Sequence, residues 1–568
     1  MEKLRYPFIP NFLLGVAGGL NYLKFVNAAK SARKNQEKTL REILTISKDT
    51  EYGRQHHFTD ILAAKDDTEL YALYQKNVSP NNYEDLQPYI ERHKNGEQNL
   101  LFPGKPALYA TTSGTTKEPK WIPITQRYLK DVYGKMNLAW LYTLIKHRRM
   151  VFSGSLVSIV GKVIEGYAPD GTICGSISGF AQRDCPQWMK DLSPYPFTVY
   201  EIEDYNARYY AIMRFGIEHN TTLIITANPS TIVEMQNNVN ENFDRYVEDI
   251  EKGTISEEFD IPERIRESFK PFLKPNPARA AELRALKAKY GTVLPKHYWP
   301  DFQLLTTWRC GNTKVYLDKF KDSFPSQMYH QEFSYYSTEC RFGLVTDDTN
   351  NTVLCPHMHY YEFVAEEDID KPDSEKRFLQ MYQLEEGKRY ITYVTTYAGL
   401  YRYNMNDMVV VGPRYWDTPS VQLVQKINGI VTMTGEKLHE KQFIDAVREV
   451  EKTMHTPLRF FIGFADLEAS AYHFYYEFAD QTTSQATAEQ FSAEVDNLLK
   501  QYNIEYKTKR NSLRVKDPIS HRLQANSFEQ FKAQCIADGL RDGQFKLNLL
   551  LQDEKRHAKF KKLVIEDK

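Results

Sequence analysis

The sequence predicts an α/β protein, with a large N-terminal domain over residues 1–425 and a smaller α+β domain over residues 426–568. Three observations carry that expectation. At 568 residues the chain exceeds one hydrophobic core, and at roughly 150 residues per domain it divides into two to four units. Helix-periodic and strand-like stretches alternate along most of its length. After Lys426 the rhythm tightens into strand, helix, two strands, helix, strand and helix, about the span of one small domain.

The elements follow in order. The opening, "MEKLRYPFIPNFLLGVAGGLNYLKF", has an apolar run too short to cross a bilayer and broken by proline and glycines, with no cationic leader before a small-residue cleavage site. It is expected to dock on the core, with peripheral membrane contact as the alternative. "KSARKNQEKTLREILTISKDTEYGRQHHF" spaces its apolar residues as a surface helix does. "TLIITANPS" (222–230) is a β-branched run halted by Asn-Pro, as in a buried strand entering a turn. The charged stretch from Phe243 to Gly291 reads as helices with solvated faces. "KRYITYVTTYAGLYRYNMNDMVVVG" (388–412) reads as two strands joined at Ala398 and Gly399.

Near Lys426 the strand-like "SVQLVQKINGIVTMTG" holds Asn428-Gly429, read as a hairpin turn or a hinge. Then come a helix in "EKQFIDAVREVEKTM", strands in "LRFFIGFA" and "YHFYYEFA", a helix in "TAEQFSAEVDNLLKQY", a strand in "SLRVKD" and a helix in "SFEQFKAQCIADG".

Charge excludes some functions. Lys plus Arg number 73 against 74 Asp plus Glu, so no overall field draws the protein to nucleic acid or an anionic surface. Any phosphate chemistry must be local. The six cysteines are scattered without a CxxC pair, which points away from a zinc site or a disulfide framework and towards a reducing cytoplasm.

Three stretches carry chemistry. In "YATTSGTTKEPKWIP" (109–123), backbone N–H groups of a tight turn and small hydroxyls can surround phosphate oxygens. Gly114 would give the turn its freedom, Ser113, Thr115 and Thr116 would donate, and Lys120 would supply a point charge. The Walker pattern is absent. "SYYSTEC" (334–340) sets rings, hydroxyls and Glu339 in succession, suited to a base, a phosphate and a hard cation. "GLYRYNMNDMVVV" (399–411) places Asp407 where a carboxylate can accept both hydroxyls of a ribose. Taken alone, each also reads as ordinary structure: a polar loop, a strand end with core tyrosines, a hairpin with an exposed aspartate. Trp308, Arg309 and Cys310 in "TTWRCGN" suit a pocket wall or the core, and "GSISGF" (175–180) a tight loop near a ligand. His56, His57 and "HMHYY" (357–361) lack partners for a metal site.

With these stretches in order, the chain resembles the plant auxin-responsive acyl acid amido synthetases, the Gretchen Hagen family, and their bacterial relatives within the adenylate-forming enzymes. The first family motif is similar to "TTSGTTKEPKWIP", the second, Tyr-x-(Ser/Thr)-(Ser/Thr)-Glu, to "YYSTE", and the third, Tyr-Arg-Tyr-x-x-Gly-Asp, to "YRYNMND". "TANPS" (226–230), "YYEFV" (360–364), "AGLYRY" and "GQFKL" (543–547) resemble flanking family pieces.

The resemblance implies a luciferase-like α/β domain binding ATP and the acyl acid, and a mobile C-terminal lid. It implies that Thr112, Ser113, Gly114, Thr115 and Thr116 hold the ATP phosphates with Lys120 assisting. Tyr335 would face the adenine, Ser337 and Thr338 would bind the nucleotide with Thr338 at the α-phosphate, and Glu339 would hold Mg2+. Asp407 would bind the ribose, Lys546 would reach carboxylate and α-phosphate, and Lys426 would mark the pivot. The substrates would be a small carboxylic acid and an amino acid, joined through an acyl-adenylate by a cytoplasmic monomer or weak homodimer, without nucleic acid or stable membrane insertion. An acyl-CoA ligase or a binding protein without turnover are the alternatives. Two positions depart from the family pattern: Lys117 and Asn406 stand where glycine is usual. Asparagine tolerates positive φ better than most residues, so the second turn is expected to survive.

Overall fold

The computed structural model describes residues 5–112, 120–310, 314–369, 371–426, 430–431, 433, 436, 438–466, 469–511, 515–537 and 547–565. The chain divides into two compact units, Met1–Val424 and Gln425–Lys568.

The first unit opens with α1 (Phe8–Ala29) and α2 (Ala32–Ser47). Helix α1 packs Leu14, Gly18, Tyr22 and Phe25 inward, with the Tyr22 ring 5.4 Å from Tyr142 of the helix Lys135–His147, so the opening segment docks on the core. Among the described residues no helix is long and apolar enough to cross a membrane.

Strands β1 (Leu108–Thr112) and β2 (Lys120–Ile124) form an antiparallel pair, and β3 (Ser155–Ser158) begins a second sheet. With β4 (Gly166–Tyr167) and β5 (Ile173–Gly175), the first sheet runs β2-β1-β5-β4. The second runs β3-β6-β7-β8, all parallel, through β6 (Thr221–Ile225), β7 (Leu304–Thr307) and β8 (Tyr329–Glu332). The β-branched run foreseen at 222–230 is β6, buried between two neighbours as parallel strands require. The charged stretch after Phe243 forms helices Ser230–Lys252, Glu263–Phe269 and Pro277–Tyr290, which bury Tyr246, Ile250, Ile265 and Leu283 and leave most charges outside.

"GSISGF" is a strand-to-helix junction. Gly175 ends β5 and Ile177–Arg183 is a helix; a Cβ on Gly175 would lie 1.8 Å from the Val163 carbonyl, so the glycine permits close backbone contact.

The third sheet has seven strands, and the strand pairs described are antiparallel. These are β9 (Gly343–Leu344), β10 (Thr352–Leu354), β11 (Tyr360–Ala365), β12 (Leu379–Gln380), β13 (Arg389–Thr395), β14 (Tyr403–Tyr415) and β15 (Thr418–Lys426). Their order is β12-β11-β13-β14-β15-β10-β9. Strands β13 and β14 are the expected pair, joined through Gly399 at φ 83°, a conformation that favours glycine.

The second unit contains β16 (Ile430–Val431), β17 (Leu438–His439), the helix Glu440–Thr453, β18 (Leu458–Asp466), β19 (Ala471–Phe478) and the helix Gln485–Tyr502. The helix Ile504–Asn511, β20 (Ile519–Arg522), the helix Ser527–Ala537, β21 (Leu550–Leu551) and the helix Glu554–Lys561 follow. Its main sheet runs β20-β19-β18-β21. Of the strand expected in "SLRVKD", residues 512–514 lie outside the described residues and 515–517 carry none; pairing with β19 starts at Ile519. Pro518 has no N–H for a ladder, and Arg510 turns back to the Val515 carbonyl at 2.9 Å and to Asp496 at 2.8 Å. Asn428-Gly429 lies outside the described residues.

Candidate active site

The first motif is mounted on the β1–β2 pair, whose register sets Thr112 opposite Lys120 and Thr111 opposite Trp121. Ser113, Gly114, Thr115, Thr116 and Lys117, between these ends, lie outside the described residues, as does the Thr112 side chain. Lys120 holds its ammonium 5.3 Å from the Tyr83 ring centre, and among the described residues no carboxylate is paired with it. Tyr83 also fixes the strand, its hydroxyl accepting from the Trp121 N–H at 2.9 Å. Tyr83 begins a helix capped reciprocally by Asn82 and Asp85, which sets the ring's position.

The second motif is a tight excursion after β8. Ser334, at φ 84°, redirects the chain, and the Tyr335 N–H donates to Thr352 Oγ1 at 2.7 Å. The Ser337 N–H donates to the Cys340 carbonyl at 2.9 Å, while Ser337 Oγ accepts from the Cys340 N–H at 3.2 Å. Thr338 and Glu339 therefore occupy the tip of a four-residue turn and are partly exposed. Ser337, expected on the nucleotide, here closes its own turn.

Tyr335, expected to face the adenine, is buried. Its ring is 6% exposed and stacked on Phe342 at 3.8 Å, so one face is already covered. Its hydroxyl donates to Asp407 Oδ2 at 2.7 Å, joining the second motif to the third. Burial, and then the Asp407 carboxylate, push this phenol well above its ordinary range and keep it a donor.

Asp407 sits in a bulge of β14. Ile391 pairs with Met408 and Tyr393 with Asn404, so Met405, Asn406 and Asp407 stand against Thr392 alone. Asn406 takes φ 51°, and its N–H bonds to Asn404 Oδ1 at 2.8 Å; the asparagine thus adopts the left-handed conformation expected of it. The Asp407 carboxylate is 2% exposed, not the exposed group of the plain-hairpin reading.

Just before β14 lies a buried ion pair that the sequence did not reveal. Arg402 Nε donates to Glu362 Oε2 at 2.8 Å, with the two side chains 2% and 1% exposed. Arg402 also donates to the Val78 carbonyl at 2.7 Å, and Gln75 to the other Glu362 oxygen at 2.9 Å. Asn81 clamps both sides, its N–H on the Arg402 carbonyl at 3.0 Å and its carbonyl on the Asn404 N–H at 2.8 Å. The available signal was Glu362 alone in the apolar "YYEFV" strand, since an isolated buried carboxylate demands a partner. Tyr83 gave no such signal.

Arg309, after β7, is tied to β8: its N–H meets Glu332 Oε2 at 2.5 Å and its guanidinium the His330 carbonyl at 2.7 Å. Burial pushes the Glu332 carboxyl up to about 7. The Trp308 ring meets Phe333 edge-on at 6.4 Å.

The structure therefore brings Tyr335 and Asp407 into contact and sets Thr338 and Glu339 at one turn tip. Lys426 ends β15 and its side chain is not described; Lys546 lies outside the described residues. Among the described residues no three His, Cys, Asp or Glu converge as a metal centre. Glu339, one partly exposed hard-oxygen donor beside a hydroxyl, fits Mg2+ of the kind completed by phosphate and water oxygens.

Residues 22–328, 352–426 and 441–555 match, respectively, the GH3 family N-terminal, central and C-terminal domains. The chain is similar to the indole-3-acetic acid-amido synthetase GH3.10 of Arabidopsis thaliana, at 23% identity over 90% of this chain and 91% of the relative. It is similar to the jasmonoyl–L-amino acid synthetase GH3.5 of Oryza sativa subsp. japonica, at 23% identity over 76% of each. Among solved structures, GH3.15 acyl acid amido synthetase superposes with a TM-score of 0.81 at 19% identity over 95% of both chains. The same enzyme in complex with 2,4-DB gives 0.81 over 96% of both. That likeness is one of fold.

Proposed function

The chain belongs to the GH3 family, and on that premise we propose that it is an ATP-dependent ligase joining a carboxylic acid to an amino acid through an acyl-adenylate. The observation that supports this reading most is the Tyr335–Asp407 hydrogen bond, which holds the second and third motifs together beside the turn bearing Thr338 and Glu339.

A carboxylate is a poor electrophile because its carbonyl lacks a leaving group. In the first half-reaction a carboxylate oxygen forms a bond to the α-phosphorus of ATP, and the bond to pyrophosphate breaks. In the second, the amine nitrogen bonds the acyl carbon, AMP departs with the electron pair, and the nitrogen loses its proton. The obstacle is bringing one anion to a polyanion, so catalysis rests on positioning and charge neutralisation.

The chain's own groups take these roles. Thr112, Ser113, Gly114, Thr115 and Thr116 cradle the phosphates, and Lys120 adds its charge. Thr338 contacts the α-phosphate, and Asp407, oriented by Tyr335, receives the ribose. Mg2+ at Glu339, when bound, supplies further neutralisation. Lys546 reaches the reacting carboxylate, and turning about Lys426 withdraws it before the amine enters, as gating motions do. The six cysteines are unbridged, which suits a reducing compartment, and we place the reaction in the cytoplasm.

Pyrophosphate exchange into ATP with a panel of acids tests the first step. Lys546→Ala should lower exchange by roughly two to three decades while ATP binding persists. Equal loss of both would remove the role given to Lys546. A crosslink fixing the C-terminal unit that left both half-reactions at full rate would rule out the rotation.

A further inference from the structure

Helix α1 is apolar on two faces, and only one is covered. Opposite the side packed on Lys135–His147, Phe8, Ile9, Phe12, Val16, Leu20 and Leu23 are 50–68% exposed. At 100° per residue these six span an arc of about 120°. At about 200 Å² for a large apolar side chain they present roughly 700 Å², beyond the roughly 300–600 Å² of a typical monomer's largest patch. Between Phe8 and Leu23 no exposed position of α1 bears a polar side chain.

Cations bound this face. Arg5 is exposed at one end, and the exposed Arg149 is held near the first turns of α1 by the Asn11 amide, which donates to its carbonyl at 3.0 Å. Lys24 and Lys30 are exposed at the other end, and α1 itself contains no acid. There the tip between β14 and β15 presents Trp416, 59% exposed, with Lys30 Nζ 4.8 Å from its ring centre. Of the nearby acids, Asp417 shares that tip, Glu37, Asp66 and Asp67 line a cavity beside Trp416 together with Arg33, Lys34, Lys65 and Arg414, and Asp347 acts on Tyr22, on the packed side of α1.

We propose that this face of α1, with Trp416 at its end, docks in the plane of a bilayer containing anionic lipid. A broad, uncharged apolar arc ending in lysine, arginine and tryptophan is the pattern of an interfacial helix. A second copy is the poorer occupant: a two-helix seam is narrower and carries charges along its flanks, whereas this arc has none along its length. The helix lies on the surface and does not cross it, in keeping with its packed inner face.

The test is flotation of the full-length protein with vesicles of phosphatidylcholine, with and without phosphatidylserine, beside sedimentation of the lipid-free protein. The wild type should float with the phosphatidylserine vesicles and less with phosphatidylcholine alone. Ile9→Gln/Val16→Gln/Leu20→Gln should lower binding by at least about tenfold, and Trp416→Gln should weaken it less. All three positions are exposed, so an unchanged thermal midpoint and pyrophosphate exchange would show the variant intact. Failure of the wild type to float overturns the proposal; a dimer dispersed by the triple variant would then assign the face to a second copy. Flotation that survives the triple variant also overturns it.

Discussion

Replacing Glu362 by glutamine removes one charge from the Glu362–Arg402 pair while keeping its shape. Both side chains are at most 2% exposed, and the bond is 2.8 Å long, so the guanidinium would remain buried without a counterion. Breaking such a pair costs about 3–5 kcal/mol. Arg402 keeps the Val78 carbonyl at 2.7 Å, and the glutamine oxygen can replace the carboxylate oxygen it now donates to, which places the cost at the lower end, about 3 kcal/mol, or about two decades in the folded-to-unfolded ratio. All six tryptophans lie between Trp121 and Trp416, inside the first unit, so tryptophan fluorescence in urea reports that unit alone. The double variant Glu362→Leu/Arg402→Met should recover most of the loss, because an apolar pair leaves no orphaned charge. A cost below about 1 kcal/mol for Glu362→Gln, or a double variant worse than the single, would refute the reasoning.

Tyr335→Phe removes the donor to the buried Asp407 carboxylate and should raise the KM for ATP by about tenfold, with kcat less affected; steady-state kinetics at varied ATP check this, and an unchanged KM would detach Asp407 from the nucleotide. Glu332 has its carboxyl raised to about 7, so the folded state holds a proton that the unfolded state has lost, and stability falls as pH rises from about 4.5 to 7. Glu332→Gln should flatten that fall and be the more stable protein above pH 7 in urea titrations; parallel curves would contradict it. In the second unit burial lowers His521 to about 3 and His557 to about 4, with His473, Asp466 and Lys561 around them. These rings stay neutral when folded and protonate near 6.5 when unfolded, so their contribution is present above 6.5 and lost as pH falls towards 3. Histidine ring NMR should show neither titrating above about pH 5, and a midpoint near 6.5 would refute their burial.

The fold was legible where local chemistry and tertiary setting agree. Thr221–Ile225 is β-branched and sits between parallel neighbours, and Asn406 stands where a positive φ was expected. At 515–517 the strand expected in "SLRVKD" is absent, because Pro518 and the long reach of Arg510 override β propensity. The site was legible as motifs but not as contacts. Nothing local tells that Tyr335 spends its hydroxyl on Asp407, 72 positions on, or that Lys120 rests over Tyr83. Glu362 announced a buried charge, yet Arg402 could be matched to it only once β11, β13 and β14 were paired.

The most direct test is to incubate the protein with ATP, Mg2+, a panel of carboxylic acids and the amino acids, and to quantify AMP and acyl-amino acid product by mass spectrometry. Acid-dependent AMP and amide in equal amounts is the predicted result. A folded, ATP-binding protein that releases no pyrophosphate with any acid, or one that makes only thioester when CoA is supplied, would contradict it.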